Sequence, residues 1–272
     1  MSSAIANRLN CFALLLVLGL AMGGCKSLGD VTGSIASPAT LPQSQEGLRA
    51  WSEEWGKKFE ADPSNKQATL NYAHSLKALA LYSQAAAVLQ TGVLRHATDK
   101  EMIAAYGKAL VDAGRLQEAV PVLASAHTPE RPNWSVYSTQ GSVADQLGDH
   151  NQAQGFYKSA LDINPGEPGV LSNLGLSYAL SRDLAHAEEA MRQAAADPRA
   201  DARVRQNLAL VLALQGKFNE AEELSRRDMS AEQAKSNVTT IRQMIAQSNT
   251  WRDIQKLDAG RKPKAANPAV SG

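Results

Sequence analysis

Residues 148–165 read GDHNQAQGFYKSALDINP. A glycine opens the stretch and a proline closes it. Between them Ala153, Tyr157, Ala160 and Leu161 fall at helical spacing and share one helix face. Two of these four are alanine. A buried face built from such small side chains requires another helix to come very close.

Shifting the sequence against itself by 34 residues shows where that closeness recurs. Ala153 falls on Ala85, Ala119, Ala187 and Ala221, and Gly141 falls on Ala73, Gly107, Gly175 and Ala209. The chain is rich in alanine, so neighbouring columns serve as the control. One residue further on, the series read Ala86, Val120, Gln154, Glu188, Glu222 and His74, Lys108, Ser142, Leu176, Leu210, which are free to vary. Ala80, Gly114, Gly148, Arg182 and Gly216 mark a turn. Leu76, Leu110, Ala144, Tyr178 and Leu212 form an apolar column, as do Leu89, Leu123, Tyr157 and Met191. Pro129, Pro165 and Pro198 close units. A third small column through Ala160 decays to Gly92 and Asp228 in the first and last units.

This pattern resembles the tetratricopeptide repeat, a 34-residue helix–turn–helix unit. The fold class it implies is all-α: a right-handed superhelical solenoid of about five such repeats with flanking capping helices. The units are 66–99, 100–133, 134–167, 168–201 and 202–235. Leu48, Trp51, Trp55 and Phe59 predict a capping helix within 44–63. Ser230 and Gln233 form a capping-box pattern, and Val238, Ile241 and Ile245 predict a C-terminal capping helix over 236–257. Within a unit, Gly141 and Ala153 are small because its two helices cross there. Ala160 is small because the next unit packs on it. The repeat-packing set is Ala73, Ala85, Gly107, Ala119, Gly141, Ala153, Ala160, Gly175, Ala187, Ala209 and Ala221.

Solenoids of this class carry a concave groove lined by the first helix of each unit. Mapped onto this chain, groove positions include His74, Lys77, Lys108, Asp112, Ser142, Asp145 and Asn173. Towards the C-terminus the same columns turn apolar, at Leu176, Leu180, Leu210 and Leu214. The groove is thus polar at one end and apolar at the other, suited to an amphipathic helix or an extended peptide. Two readings of the apolar end stay open: it receives a ligand, or the chain's own C-terminal helix covers it. Chaperone-binding relatives hold a C-terminal carboxylate with a Lys/Asn clamp, but here those columns carry Leu70, Ala104 and Ser138.

The N-terminal residues address the compartment. MSSAIANRLNCFALLLVLGLAMGGC has one basic residue, Arg8, then an apolar run over residues 11–22, which is too short to span a bilayer. Gly23, Gly24 and Cys25 follow, and this resembles the lipobox of bacterial lipoproteins, although Met22 stands where Leu is usual. That resemblance implies a signal peptide over 1–24 and a lipid anchor on Cys25. An ordinary secretory signal is the alternative. Lys26 in place of Asp implies an outer-membrane position facing the periplasm. Residues 25–43 read as a tether, of which an 18-residue stretch has a reach of about 20–25 Å, and 258–272 as a disordered tail.

The 272 residues carry a formal charge of +1 and 5% aromatics, which leaves no electrostatic or stacking footprint for nucleic acid. The five histidines show no metal-ligand spacing, and no nucleophile motif or phosphate loop occurs. No metal, cofactor or catalytic residue is expected, so the chain reads as non-enzymatic. Asn133 and Asn237 match glycosylation sequons but read as helix-cap residues.

The lipobox, tether, repeats and the segment RRDMSAEQAKSNVTTIRQMIAQSNTW over 226–251 together resemble the TadD family of tight-adherence (Flp) pilus assembly lipoproteins. That resemblance implies an outer-membrane lipoprotein that assists assembly or placement of a pilus secretin. Its partner would be a secretin or another assembly subunit. A general periplasmic adaptor, scaffolding cell-wall hydrolases or an outer-membrane assembly machine, is the alternative.

Overall fold

The computed structural model describes residues 41–260, with side chains described as far as Gln247. The segment 1–24, Cys25, the tether up to residue 40 and the tail from 261 lie outside the described residues. Twelve α-helices and no strand occur among the described residues. They are α1 (Gln45–Ala61), α2 (Lys66–Ala78), α3 (Tyr82–Arg95), α4 (Lys100–Asp112), α5 (Leu116–Ser125), α6 (Trp134–Leu147), α7 (His150–Ile163), α8 (Pro168–Leu180), α9 (Leu184–Ala196), α10 (Ala202–Leu214), α11 (Phe218–Ser225) and α12 (Ala231–Gly260). The fold is a tetratricopeptide-repeat solenoid. Its inner helices α2, α4, α6, α8 and α10 start 34 residues apart.

Each start is set by one column. Asn65, Asp99, Asn133 and Asp201 accept backbone N–H bonds from the first turn of α2, α4, α6 and α10. Glu167 holds the same place before α8, where Pro168 occupies the first turn. Each inner helix ends in one repeated turn. The amide of Leu81 reaches the Leu76 carbonyl (2.8 Å), and the Ala80 amide reaches Lys77 (2.9 Å). The same pair of bonds recurs at Arg115, Asp149, Asp183 and Lys217, and it satisfies carbonyls that the helix end leaves open. The motif needs a left-handed residue, and the turn column supplies it. Gly114, Gly148 and Gly216 have φ +73°, +88° and +81°, while Ala80 and Arg182 are forced to +58° and +68°.

The small columns seat large side chains. A Cβ on Gly141 would lie 2.6 Å from the Tyr157 ring. On Gly107 it would lie 2.6 Å from Leu123, and on Gly175 2.5 Å from Met191. Ala85, Ala119, Ala153, Ala187 and Ala221 are all buried, each at 2% exposure or less. Ala160 is buried with Val170 and Leu174 of α8, the first helix of the following unit.

The two ends break the pattern for physical reasons. Trp51 stands 34 residues before Ala85, in the alanine column, and is half-buried. No inner helix precedes α1 among the described residues, so the column need not be small there, and the indole fills space. Trp51 packs edge-on against Trp55 (6.0 Å) and His74 (6.3 Å). At the other end Asp228 is no decayed packing position. Its carboxylate takes Nε and Nη2 of Arg205, with Arg205 Nη1 bonded to the Ala200 carbonyl at 2.8 Å. The column's small residue gives way to a clamp that ties the end of α11 back to α10. Helix α12 starts at Ala231, runs through Asp258 to Gly260, and packs on α10 and α11 through Ala234, Val238 and Ile241.

Candidate binding groove

The groove columns lie on the inner helices, and most of these side chains are half-buried. At the N-terminal end Lys77 Nζ pairs with Asp112 at 3.0 Å across the first two units. Lys108 Nζ donates to Ser135 Oγ of the third unit at 2.9 Å, and His74 packs against Trp51. Lys66 beside this region bridges Asp99 and Glu101, each at 2.6 Å. Burial raises the Asp99 carboxyl, but the Lys66 ammonium and the Met102 amide outweigh it and hold the group below its ordinary value.

Asp145 differs from the other groove candidates. Its side chain is only 11% exposed and takes three donors: His150 Nδ1 at 2.8 Å, Ser177 Oγ at 2.7 Å and the Tyr157 hydroxyl at 3.1 Å. Burial and then the nearby carboxylate push the Tyr157 phenol well above its ordinary pKa, so it stays a donor. Asp145 therefore joins α6, α7 and α8 from within. Column position alone could not reveal this, because it depends on Tyr157 standing beneath it. Nearby, Ser142 accepts from Gln146 at 3.3 Å, and Asn173 is half-buried on α8.

The apolar end lies on α8 and α10. Leu180 is 37% exposed, and Leu176, Leu210 and Leu214 are half-buried. Among the described residues helix α12 packs against α10 and α11 and makes no contact with α8. It therefore stacks on the last unit and does not run along the inner face. A separate shallow recess of about 310 Å³ sits between α1 and α2, lined by Arg49, Glu53, Lys57 and Tyr72 among others, away from these columns. No helix among the described residues is long and apolar enough to cross a membrane. No group of three His, Cys, Asp or Glu side chains among them could hold a metal ion.

Comparison with known proteins follows the same lines. Tetratricopeptide-repeat family models match residues 135–167 and 202–231, within the third and fifth units. The outer membrane protein assembly factor BamD of Rickettsia prowazekii (strain Madrid E) is 36% identical over 103 residues. That match covers 34% of this chain and 40% of the relative's length. Among solved structures, PilW, described as a widely conserved type IV pilus biogenesis factor, superposes with a TM-score of 0.62 at 17% identity. The superposition covers 72% of this chain and 91% of PilW. The thermophilic repeat protein TTC0263 of Thermus thermophilus gives 0.53 at 21% identity over 61% of this chain and 91% of its own. At these identities the two structures speak for the fold alone. The chain is an all-α solenoid of tetratricopeptide repeats, an architecture that serves as a scaffold for protein–protein interaction.

Proposed function

We propose that the chain is a lipid-anchored adaptor of the outer membrane, facing the periplasm, that assists assembly or secretin placement of a tight-adherence (Flp) pilus. The reading rests on one observation. The inner-helix face grades from polar at Lys77, Lys108 and Asp112 to apolar at Leu176 and Leu180, and α12 stacks beyond it and does not fill it. Such a face takes an amphipathic segment by side-chain packing at one end and by hydrogen bonds at the other. Cys25 would hold the complex at the membrane through acyl chains, and the tether would let the solenoid stand off the surface. The TadD-like C-terminal segment and the fold shared with a pilus biogenesis factor support the pilus assignment.

The BamD likeness favours a second reading, an adaptor of an outer-membrane assembly machine. One experiment separates the two. A photo-crosslinking residue replaces Lys108 in living cells, and the adducts are identified by mass spectrometry. An adduct to a secretin or another pilus-assembly subunit supports the first reading. An adduct to an outer-membrane assembly subunit or a wall hydrolase replaces it with the second. An adduct to residues 231–272 would mean that the face is self-occupied. Cys25→Ser should release a folded, soluble protein; persistence in washed membranes would place the anchor elsewhere.

A further inference from the structure

We infer that the solenoid carries a hinge at the joint between its second and third units, where α5 meets α6. The inference concerns the mechanics of the fold and stands whatever the inner face binds. It begins with α5. Pro121 sits inside this helix and removes one backbone N–H from its ladder. The helix spans 10 residues, against 14 in α3 and α7 and 13 in α9; only the terminal outer helix α11, at 8, is shorter among the described residues. The chain then needs residues 126–133 to reach α6, whereas 96–99, 164–167 and 197–201 suffice at the other joints. The long connector folds into an exposed turn closed by the Thr128 and Arg131 backbone groups, with Pro129 and Glu130 at its tip.

The packing across this joint is correspondingly thin. Of the four joints between units, the one at α5 and α6 is the most sparsely packed. The polar ties also differ between joints. Lys66–Glu101 and Lys77–Asp112 brace the first joint. Ser177–Asp145 and Gln154–Ser181 (3.1 Å) brace the third. The fourth has Asn207–Ser172 (3.0 Å), Lys217–Glu188 (2.7 Å) and Arg192–Glu220 (2.6 Å). At the second joint Lys108 Nζ donates to Ser135 Oγ, and His127 packs tilted against Tyr137 at 4.4 Å. Here too His127 Nδ1 and Gln140 Oε1 are buried without a hydrogen-bond partner. Val136 and Val143 of α6 are buried in the core of the first two units and keep α6 attached there as the joint bends. Bending there swings Lys108 and Asp112 relative to Ser142 and Asn173, and so changes the curvature of the inner face.

Spin-label distances test this in the full chain with Cys11→Ser and Cys25→Ser. Ser83, Asn151 and Asn219 are exposed and stand in one column, 68 residues apart. The Ser83→Cys/Asn151→Cys pair spans the proposed hinge, and the Asn151→Cys/Asn219→Cys pair does not. The first pair should give a distance distribution at least twice as wide as the second. Equal widths, or a wider second pair, would overturn the hinge. The unlabelled chain supplies an independent readout. Amides of 122–125 in α5 should exchange hydrogen at least tenfold faster than those of 156–159 at the same place in α7, and equal protection would also overturn it.

Discussion

The second and third units share a register residue for residue, yet they are joined to their successors in different ways. Both seat a bulky side chain against a glycine, Leu123 on Gly107 and Tyr157 on Gly141. Both end their inner helix with the same left-handed glycine turn. The third unit then gathers three donors onto Asp145, one of them from the next unit. At that place the second unit has Val111, and its outer helix is cut short after Pro121. The repeated columns thus fix the path of the backbone within a unit. Residues outside those columns, such as Asp145 and Pro121, distinguish one joint from the next.

The largest effect should come from the residue that distinguishes the two units. Asp145→Ala leaves His150 and Tyr157 without this acceptor and Ser177 with only the His150 carbonyl at 3.4 Å, and should cost about 3 kcal/mol in urea unfolding, against about 1 kcal/mol for Val111→Ala. Equal losses would break the comparison. Overpacking comes next. Ala153→Leu should cost about 3 kcal/mol and Ala119→Leu about 1 kcal/mol, because a loosely held α5 can yield where α7 cannot. An unchanged melting temperature for Ala153→Leu would contradict the close helix crossing itself.

A smaller effect of opposite sign tests the part the units share. Ala80 and Arg182 hold the left-handed turn without being glycine. Ala80→Gly and Arg182→Gly should each stabilise the chain by about 0.5–1 kcal/mol, read as a raised thermal midpoint. The smallest effect extends the contrast to the joint between the fourth and fifth units. Hydrogen bonding from Lys217, with help from Arg192, holds the Glu188 carboxyl below its ordinary value of 4.5 despite burial. A depressed folded-state pKa means stability that is present at neutral pH and lost as pH falls through it. The wild-type midpoint should therefore drop more steeply below pH 4.5 than that of Glu188→Gln. Parallel curves would show that this ion pair adds nothing to the joint.

The repeat period, the small columns and the turn column were legible in the sequence because each rests on local geometry. A left-handed turn asks for glycine, and a close crossing asks for glycine or alanine. Of the capping column that the structure shows at Asn65, Asp99, Asn133, Glu167 and Asp201, only Asn133 was read as a cap from the sequence. What stayed hidden depends on partners that are distant along the chain. Asp228 looks like a failed small residue until Arg205 is seen to reach it. Asp145 reads as a groove residue by position, but a tyrosine beneath it and a serine 32 residues on turn it inward. The shortness of α5 was announced by Pro121 and Pro129, cues that column counting passes over.

Trp51 has a consequence for the molecule as a finite object. A stack of like units has no inherent last member, since each end offers a surface shaped for one more. Were the alanine column continued into α1, that end would accept a first helix from a second molecule. Such head-to-tail contacts need not close on themselves and can propagate into fibres. An indole placed where every internal unit requires a methyl group spoils that fit. The indole thereby gives this end of the described array a shape that no internal unit shares.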